Sequence, residues 1–432
     1  MTVPTLVEDT VKATVDSTAP TTTAGPSVRH RRAVEALRAG VPSRTAVALL
    51  GSGQTAIEDR FLDLLATARE GTAGGMLVGG GFGSGKSHLL EHLMRLALDD
   101  GFAVSRVVVS KETPLHDPVK VFRAAADSAV VAGRSGSAIA EAAAELDVRG
   151  PAYAGLLAWA MSPEANLNER FAASLLLYAR VRDSDTDLAA TLVRFWSGDP
   201  ISAPALRREL KAVGEPAAPF SPVSIRVLGE QRLRFAARLL AAAGCAGWLV
   251  LFDEVELIGR YSVQQRAKSY AELARWVRGE HGAPGLPIAA VLAMTDDFEA
   301  AVITGKKDRD VIPAKLRERR STEAVDLAAR AALGMRVIDR EMALLVPPGA
   351  AELDRVYARL KELHGAAFDW SPPDIAGLER LGATRMRQYI RAWINEWDLV
   401  RLDPGFQPRT EAVGVAGDYD EDTDLEGASE SR

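Results

Sequence analysis

The sequence predicts an α/β protein built on a parallel sheet of P-loop type, flanked by helices, with a large helical insert and a C-terminal helical lid. Two observations predict the sheet. Short apolar runs such as Gly75–Gly79, Gly247–Phe252 and Pro287–Met294 alternate with stretches of helical spacing, and strands that alternate with helices imply a parallel sheet covered on both faces. The first run leads into Gly80-Gly81-Phe82-Gly83-Ser84-Gly85-Lys86-Ser87, which fits the pattern G-x-x-x-x-G-K-[ST]. A third observation predicts the insert. From about Pro118 to Ala243 the pattern is almost wholly helical, with Ala- and Leu-rich segments parted by turns such as Arg149-Gly150-Pro151 and Gly198-Asp199-Pro200.

Residues 1–28 are rich in Thr, Pro, Val and Ala and carry neither helical nor strand periodicity, so a disordered arm is expected. The P-loop domain then runs in two parts, 29–117 and 244–348, on either side of the insert at 118–243. Its first part holds helices at Arg31–Leu37 and Thr55–Leu65, the strand Gly75–Gly79, a helix at His88–Leu98 and a second strand at Phe102–Ser110. Its second part holds the third and fourth strands and a fifth, Met342–Val346, that stops at Pro347-Pro348. Residues 349–405 carry helical patterning only and form the lid. The acidic end, 406–432, is expected to be disordered, as a solvating or a partner-binding tail.

The strand, the glycine-rich turn and the helix start together make an anion site, because backbone N–H groups and the helix dipole both favour negative charge there. Gly80, Gly81, Gly83 and Gly85 let the backbone approach phosphates, with Phe82, Ser84 and His88 completing the loop. Lys86 reaches the β- and γ-phosphates and the Ser87 hydroxyl ligates Mg²⁺. The expected ligand is a nucleoside triphosphate.

The third strand ends in Asp253-Glu254, apolar residues followed by two carboxylates. Asp253 is expected to hold Mg²⁺ from a strand beside the P-loop strand, and Glu254 to orient and deprotonate the attacking water. This pairing favours ATP hydrolysis over GTPase or kinase chemistry, and no N-K-x-D motif is present. The fourth strand ends in Thr295-Asp296-Asp297. Thr295, or else Asp296, fits a sensor between the two motif-bearing strands, and the same position suits a helix N-cap; the sequence leaves both open. In Lys315-Leu316-Arg317-Glu318-Arg319-Arg320, Arg317, Arg319 or Arg320 could serve as a finger on a neighbouring subunit's nucleotide, or form a solvated helix face.

The chain has 432 residues, 25% charged and 47% hydrophobic, enough for two or three domains with a large core. Cys245 is the only cysteine, which excludes a disulfide scaffold and suits a cytoplasmic protein. Early acids and the lack of an apolar run argue against a signal peptide, and nothing approaches the length of a membrane span. The net charge of −6 is matched by the tail from Asp418 to Arg432 alone, where seven acids face one arginine. The body is near neutral, so bulk charge decides nothing about nucleic acid. Arg207, Arg208, Arg232, Arg234, Arg385, Arg387 and Arg391 are candidate phosphate contacts, or solvated faces. Trp393 and Trp397, at i and i+4, suit packing.

These pieces resemble the origin-recognition branch of the AAA+ ATPases. The resemblance makes Gly382-Ala383-Thr384-Arg385 a sensor-2 segment and Arg385 the γ-phosphate-sensing residue, although the usual acid after that glycine is missing. It also implies that a polar residue at Ser110-Lys111-Glu112 restrains the catalytic glutamate; a plain polar turn is the alternative. A longer likeness, over Arg32–Pro42, Gly79–Glu91 and Val109–Leu115, is to the ATP-binding proteins of BREX (bacteriophage exclusion) systems, of BrxD type, and runs from about residue 29 to 405. It implies a phage-defence ATPase acting on double-stranded DNA or with other BREX proteins such as a helicase, with a homo-oligomer as one arrangement. A nucleotide-dependent clamp or loader with little turnover is the alternative, and a small-molecule kinase a weaker one.

Overall fold

The computed structural model describes residues 26–41, 43–216, 219–375, 386–403 and 405–406. Five parallel strands form one sheet in the order β2-β3-β4-β1-β5. They are β1 (Gly74–Gly79), β2 (Ala103–Val108), β3 (Trp248–Asp253), β4 (Ile288–Met294) and β5 (Ala343–Leu344). β4 pairs with β1 from Ala289↔Gly74 to Met294↔Gly79, and with β3 from Ile288↔Trp248 to Leu292↔Phe252. The Asp253 strand is therefore not beside the P-loop strand, as expected from the sequence; β4 lies between them, and puts Thr295 there. β5 is shorter than predicted. It pairs only with β1, at the sheet edge, and the chain beyond it runs into Pro347-Pro348, which have no N–H to offer a ladder.

The strands are mostly apolar, with Ser105 and Arg106 the exceptions within β2, because both faces are covered. Successive residues point to opposite faces. Met76, Val78, Leu249, Leu251, Val291 and Ala293 pack against α3 (Thr55–Arg69) and α4 (Lys86–Asp99). Leu77, Trp248, Val250, Phe252, Ile288 and Leu292 share a second core with the insert helices and with α12 (Val263–Arg278), α13 (Asp308–Arg317) and α14 (Thr322–Arg340).

The described part of the insert is built from helices, apart from a bridge of Val130 to Val104: α5 (Pro118–Asp127), α6 (Ala138–Glu145), α7 (Pro151–Met161), α8 (Glu169–Val181), α9 (Thr186–Trp196), α10 (Ala203–Ala212) and α11 (Ile225–Ala242). Side chains of Asp117, Asn168, Asp185, Ser202 and Ser224 accept from backbone N–H groups at the helix starts, satisfying donors that have no partner within the helix. Its aromatic centre is Trp196, buried against Tyr178 and Phe235 with Nε1 donating to Ser174 Oγ at 2.8 Å. That centre is continuous with the sheet core, Phe122 of α5 meeting Trp248 of β3 edge-on. Two arginines proposed as phosphate contacts are spent here. Arg232 donates to the carbonyls of Phe195 and Asp199, and Arg234 to those of His281 and Asn166. Both side chains are buried, because a guanidinium inside a helical layer survives by binding backbone oxygens.

The lid helices α15 (Ala350–Phe368) and α16 (Met386–Leu402) form a third core with the chain's first helices, α1 (Pro26–Ala39) and α2 (Arg44–Leu50). α1 begins within the segment expected to be a disordered arm; residues 1–25, and the tail from 407, lie outside the described residues. Val34 and Leu37 meet Leu360, Trp393 and Trp397. Both tryptophans pack against Tyr357, Trp393 edge-on and Trp397 tilted, so they are packing residues. Asp398 of α16 joins Arg38 of α1 to the buried His364 of α15. Among the described residues, no helix is long and apolar enough to cross a membrane.

Candidate nucleotide site

The loop Gly80–Gly85 leaves β1 at the carboxyl end of the sheet and is pinned there by Gly80 N–H donating to Met294 O of β4 at 3.2 Å. Gly85 caps α4 with φ 108, a left-handed conformation that side chains other than hydrogen resist. A Cβ there would meet nothing within 4 Å, so backbone conformation, not crowding, calls for glycine. The N–H groups of the first turn of α4 have no partner within the helix, and no side chain caps them. Ser84 Oγ, in the same loop, is buried without a hydrogen-bond partner. Orphaned donors around an open backbone cradle are what an anion requires.

Lys86 is folded over this loop. Its ammonium donates to the Gly80 carbonyl at 2.7 Å and the Gly81 carbonyl at 3.3 Å, and lies 5.5 Å from the centre of the Phe82 ring. Burial lowers the Lys86 pKa, while Glu256, Asp253, Asp296 and Asp297 act in the other direction. Those acids define the facing wall. A Cβ on Gly81 would lie 3.9 Å from Asp296 Oδ1, and Thr295, fully buried, ends β4 beside it.

Asp253 is buried at the end of β3, with Oδ1 accepting from Glu254 N–H at 3.0 Å and Oδ2 from Arg106 at 2.6 Å. Glu254 follows with φ 57, a left-handed value that costs about 1–3 kcal/mol in a non-glycine residue and clusters at functional sites. Its carboxyl stands exposed beyond the strand; partial burial and then Asp253 raise its pKa, and Arg106 and Lys86 oppose the rise. Ser87 and Asp253 supply the hard oxygen donors that Mg²⁺ takes. Among the described residues, no cluster of three or more His, Cys, Asp or Glu forms a metal cage. A Mg²⁺ ion bound beside phosphate and water would need only one or two protein oxygens.

Glu256 was not foreseen from the sequence. The 3₁₀ turn Val255–Arg260 turns it back under the site. It is 6% exposed, with Oε2 buried and unpartnered. Burial raises its pKa, and Lys86 is the leading opposing charge. Arg106 was missed as well. Its signal was present: a lone charge inside a strand covered on both faces needs a partner.

A cavity of about 220 Å³ opens from the other side of the loop. Segments far apart in sequence line it: Leu37 and Val41 at the end of α1, Leu50–Gln54 at the end of α2, Ser84, Gly85, His88 and Leu89 of the P-loop and α4, Leu345–Gly349 with Glu352 and Val356 of α15, and Met386, Arg387 and Ile390 of α16. His88 Nε2 lies 2.7 Å from Gly51 O, and burial lowers its pKa. Gln54 exchanges two hydrogen bonds with the Val346 backbone, at 2.9 and 3.0 Å. Gly53 has φ 68, a left-handed backbone that side chains resist, and the Glu352 carboxylate of α15 packs beside it. An apolar slot edged by a few polar groups is the form of a nucleoside pocket.

The structure thus gathers Gly80–Ser87, His88, Asp253, Glu254 and Thr295. Arg317 stands apart, exposed at the end of α13, which packs on α12 and α14. Arg385 lies outside the described residues; its neighbour Arg387 lines the cavity. Ser110 Oγ donates to Glu112 at 3.1 Å and accepts from Thr113 N–H at 3.1 Å, the polar turn that was the alternative to a glutamate restraint.

Residues 26–142 match the family described as BREX system ATP-binding protein BrxC/D. The three segments that carried the likeness in the sequence all fall within this span, which bears the likeness out. The span contains the P-loop and ends before Asp253. No curated protein and no solved structure matches the chain.

Proposed function

We propose that this protein binds ATP with Mg²⁺ in the cleft between sheet and lid and hydrolyses it, as an AAA+-like P-loop component of a bacteriophage-exclusion system. The observation that carries the proposal is the convergence of Lys86, Asp253, Glu254 and Glu256 beside a glycine loop and an uncapped helix start, at the carboxyl end of one parallel sheet. In this reading the α4 N–H groups and Lys86 neutralise the phosphates, and Ser87 and Asp253 hold the Mg²⁺. Glu254 takes a proton from the attacking water, and Thr295 senses the γ-phosphate. Arg385 contacts the γ-phosphate from the lid, and Arg317 reaches a neighbouring subunit's nucleotide. The work done with the energy is a change imposed on DNA or on a partner such as a helicase.

The test is Glu254→Gln in the full chain. Hydrolysis should fall by about 10²-fold or more, the range for loss of a general base, while ATP binding persists. If Glu254→Gln turns over ATP as fast as the native protein, or protects cells from phage equally well, the hydrolytic reading is wrong and a clamp or loader that only binds ATP takes its place. Measuring particle size and turnover with and without double-stranded DNA addresses the partner: assembly with stimulation supports Arg317 acting in trans, and a DNA-indifferent monomer opposes it.

A further inference from the structure

Arg106 sits in the middle of β2 on the sheet face covered by α4. Its guanidinium touches two carboxylates. One nitrogen donates to Asp253 Oδ2 at 2.6 Å, and another lies 3.7 Å from Glu91 Oε2. The third, Nε, is buried without a partner, so the group is not fully committed to either acid. Glu91 lies four residues after Ser87 on α4, hence on the same helix face. Its other oxygen is 3.8 Å from Arg44 of α2, the helix that leads into the Gly51–Gln54 wall of the cavity.

We infer that the Arg106 guanidinium and Mg²⁺ compete for Asp253, and that Arg106 transfers to Glu91 when the cation binds. Asp253 and Glu91 are both largely buried, and two cations on one desolvated carboxylate repel each other strongly. Arginine cannot relieve that repulsion by losing its proton, so it moves, and Glu91 is the carboxylate within reach. Metal occupancy is then felt by the P-loop helix and, through Glu91 and Arg44, by the wall of the nucleoside cavity. Arg106 is a positioning residue here, acting through Asp253.

The inference rests on the assignment of Asp253 to Mg²⁺, and the experiment separates the two. A fluorescent ATP analogue is titrated onto the full chain at increasing Mg²⁺, and in EDTA. Arg106→Gln should lower the Mg²⁺ concentration for half-maximal binding by about tenfold, equivalent to one pKa unit of coupling. Glu91→Gln, which removes the second anchor, should raise it. Opposite signs support the transfer; shifts of the same sign, or none in either variant, overturn it. Arg106→Lys keeps the charge but loses the planar fork and should fall between native and Gln. It takes the place of Gln should that variant lose binding in EDTA. If Asp253→Asn leaves the Mg²⁺ midpoint unmoved, the metal assignment itself fails; if Asp253→Asn shifts it and the other variants do not, only the competition fails.

Discussion

The two ends of the cleft are built in opposite ways. The phosphate end comes mainly from eight consecutive residues, Gly80–Ser87, whose shape is set by glycine conformations and by the start of α4. The nucleoside end has no motif. It exists only where segments near residues 37–54, 84–89, 345–356 and 386–390 meet. The phosphate end is therefore anchored to a sheet whose central strands β3 and β4 are buried, whereas the cavity end depends on how α15, α16 and the first two helices pack. Charge is concentrated at one end and apolar surface at the other, so in the proposed reading ATP would be held by electrostatics below and by shape above.

The largest effect should come from the phosphate end. Lys86→Ala should weaken ATP binding and abolish turnover, with a loss of about 10²-fold or more, the scale of removing one preorganised charge donor. Inorganic triphosphate, used as a competitor, should lose as much as ATP, since neither contact involves the base. At the nucleoside end, Gln54→Ala removes the two hydrogen bonds to Val346 that fix the cavity wall. About 1 kcal/mol for each gives a five- to thirtyfold loss for ATP, with inorganic triphosphate unaffected. A parallel loss for both ligands in Gln54→Ala would mean the two ends are not separable.

The smallest effect concerns Glu256 and stability. Burial raises its pKa in the fold, so between the ordinary carboxylate value and the folded one the native state binds more protons than the unfolded chain. Stability contributed by this group is present at low pH and is lost as pH rises through that window. Glu256→Gln removes the charge that burial disfavours and should therefore raise stability at pH 7, while leaving it nearly unchanged at pH 4. Thermal unfolding at the two pH values checks this, and equal shifts at both would remove the carboxylate's charge from the account.

The same contrast explains what was legible. Strands and helices of the sheet were readable because apolar periodicity and glycine punctuation are local signals. The insert's helices were readable for the same reason, but its arginines were not: nothing near Arg232 or Arg234 in sequence tells that Phe195, Asp199, Asn166 and His281 supply carbonyls to bury them. Glu256 was hidden because the sequence pattern stops at the strand end Asp253-Glu254, and only the 3₁₀ turn Val255–Arg260 that follows buries it. The place of β4 between β1 and β3 was legible only through the sensor reading of Thr295, whereas the expectation that the Asp253 strand adjoins the P-loop strand failed because strand order is a property of pairing, not of sequence order.

The sequence by itself determined the anion cradle, the pair Asp253-Glu254 at a strand end, and an α/β sheet interrupted by helices. Each rests on backbone conformations and side-chain types fixed within a few residues. Only the tertiary structure decided that α1 and α2 pack on the lid, that a cavity opens between them and the P-loop, and that Arg106 holds Asp253. The reason is physical. A buried charge or an apolar wall is defined by what lies against it, and here those partners are as far as 360 residues away along the chain, as with Arg38 and Asp398.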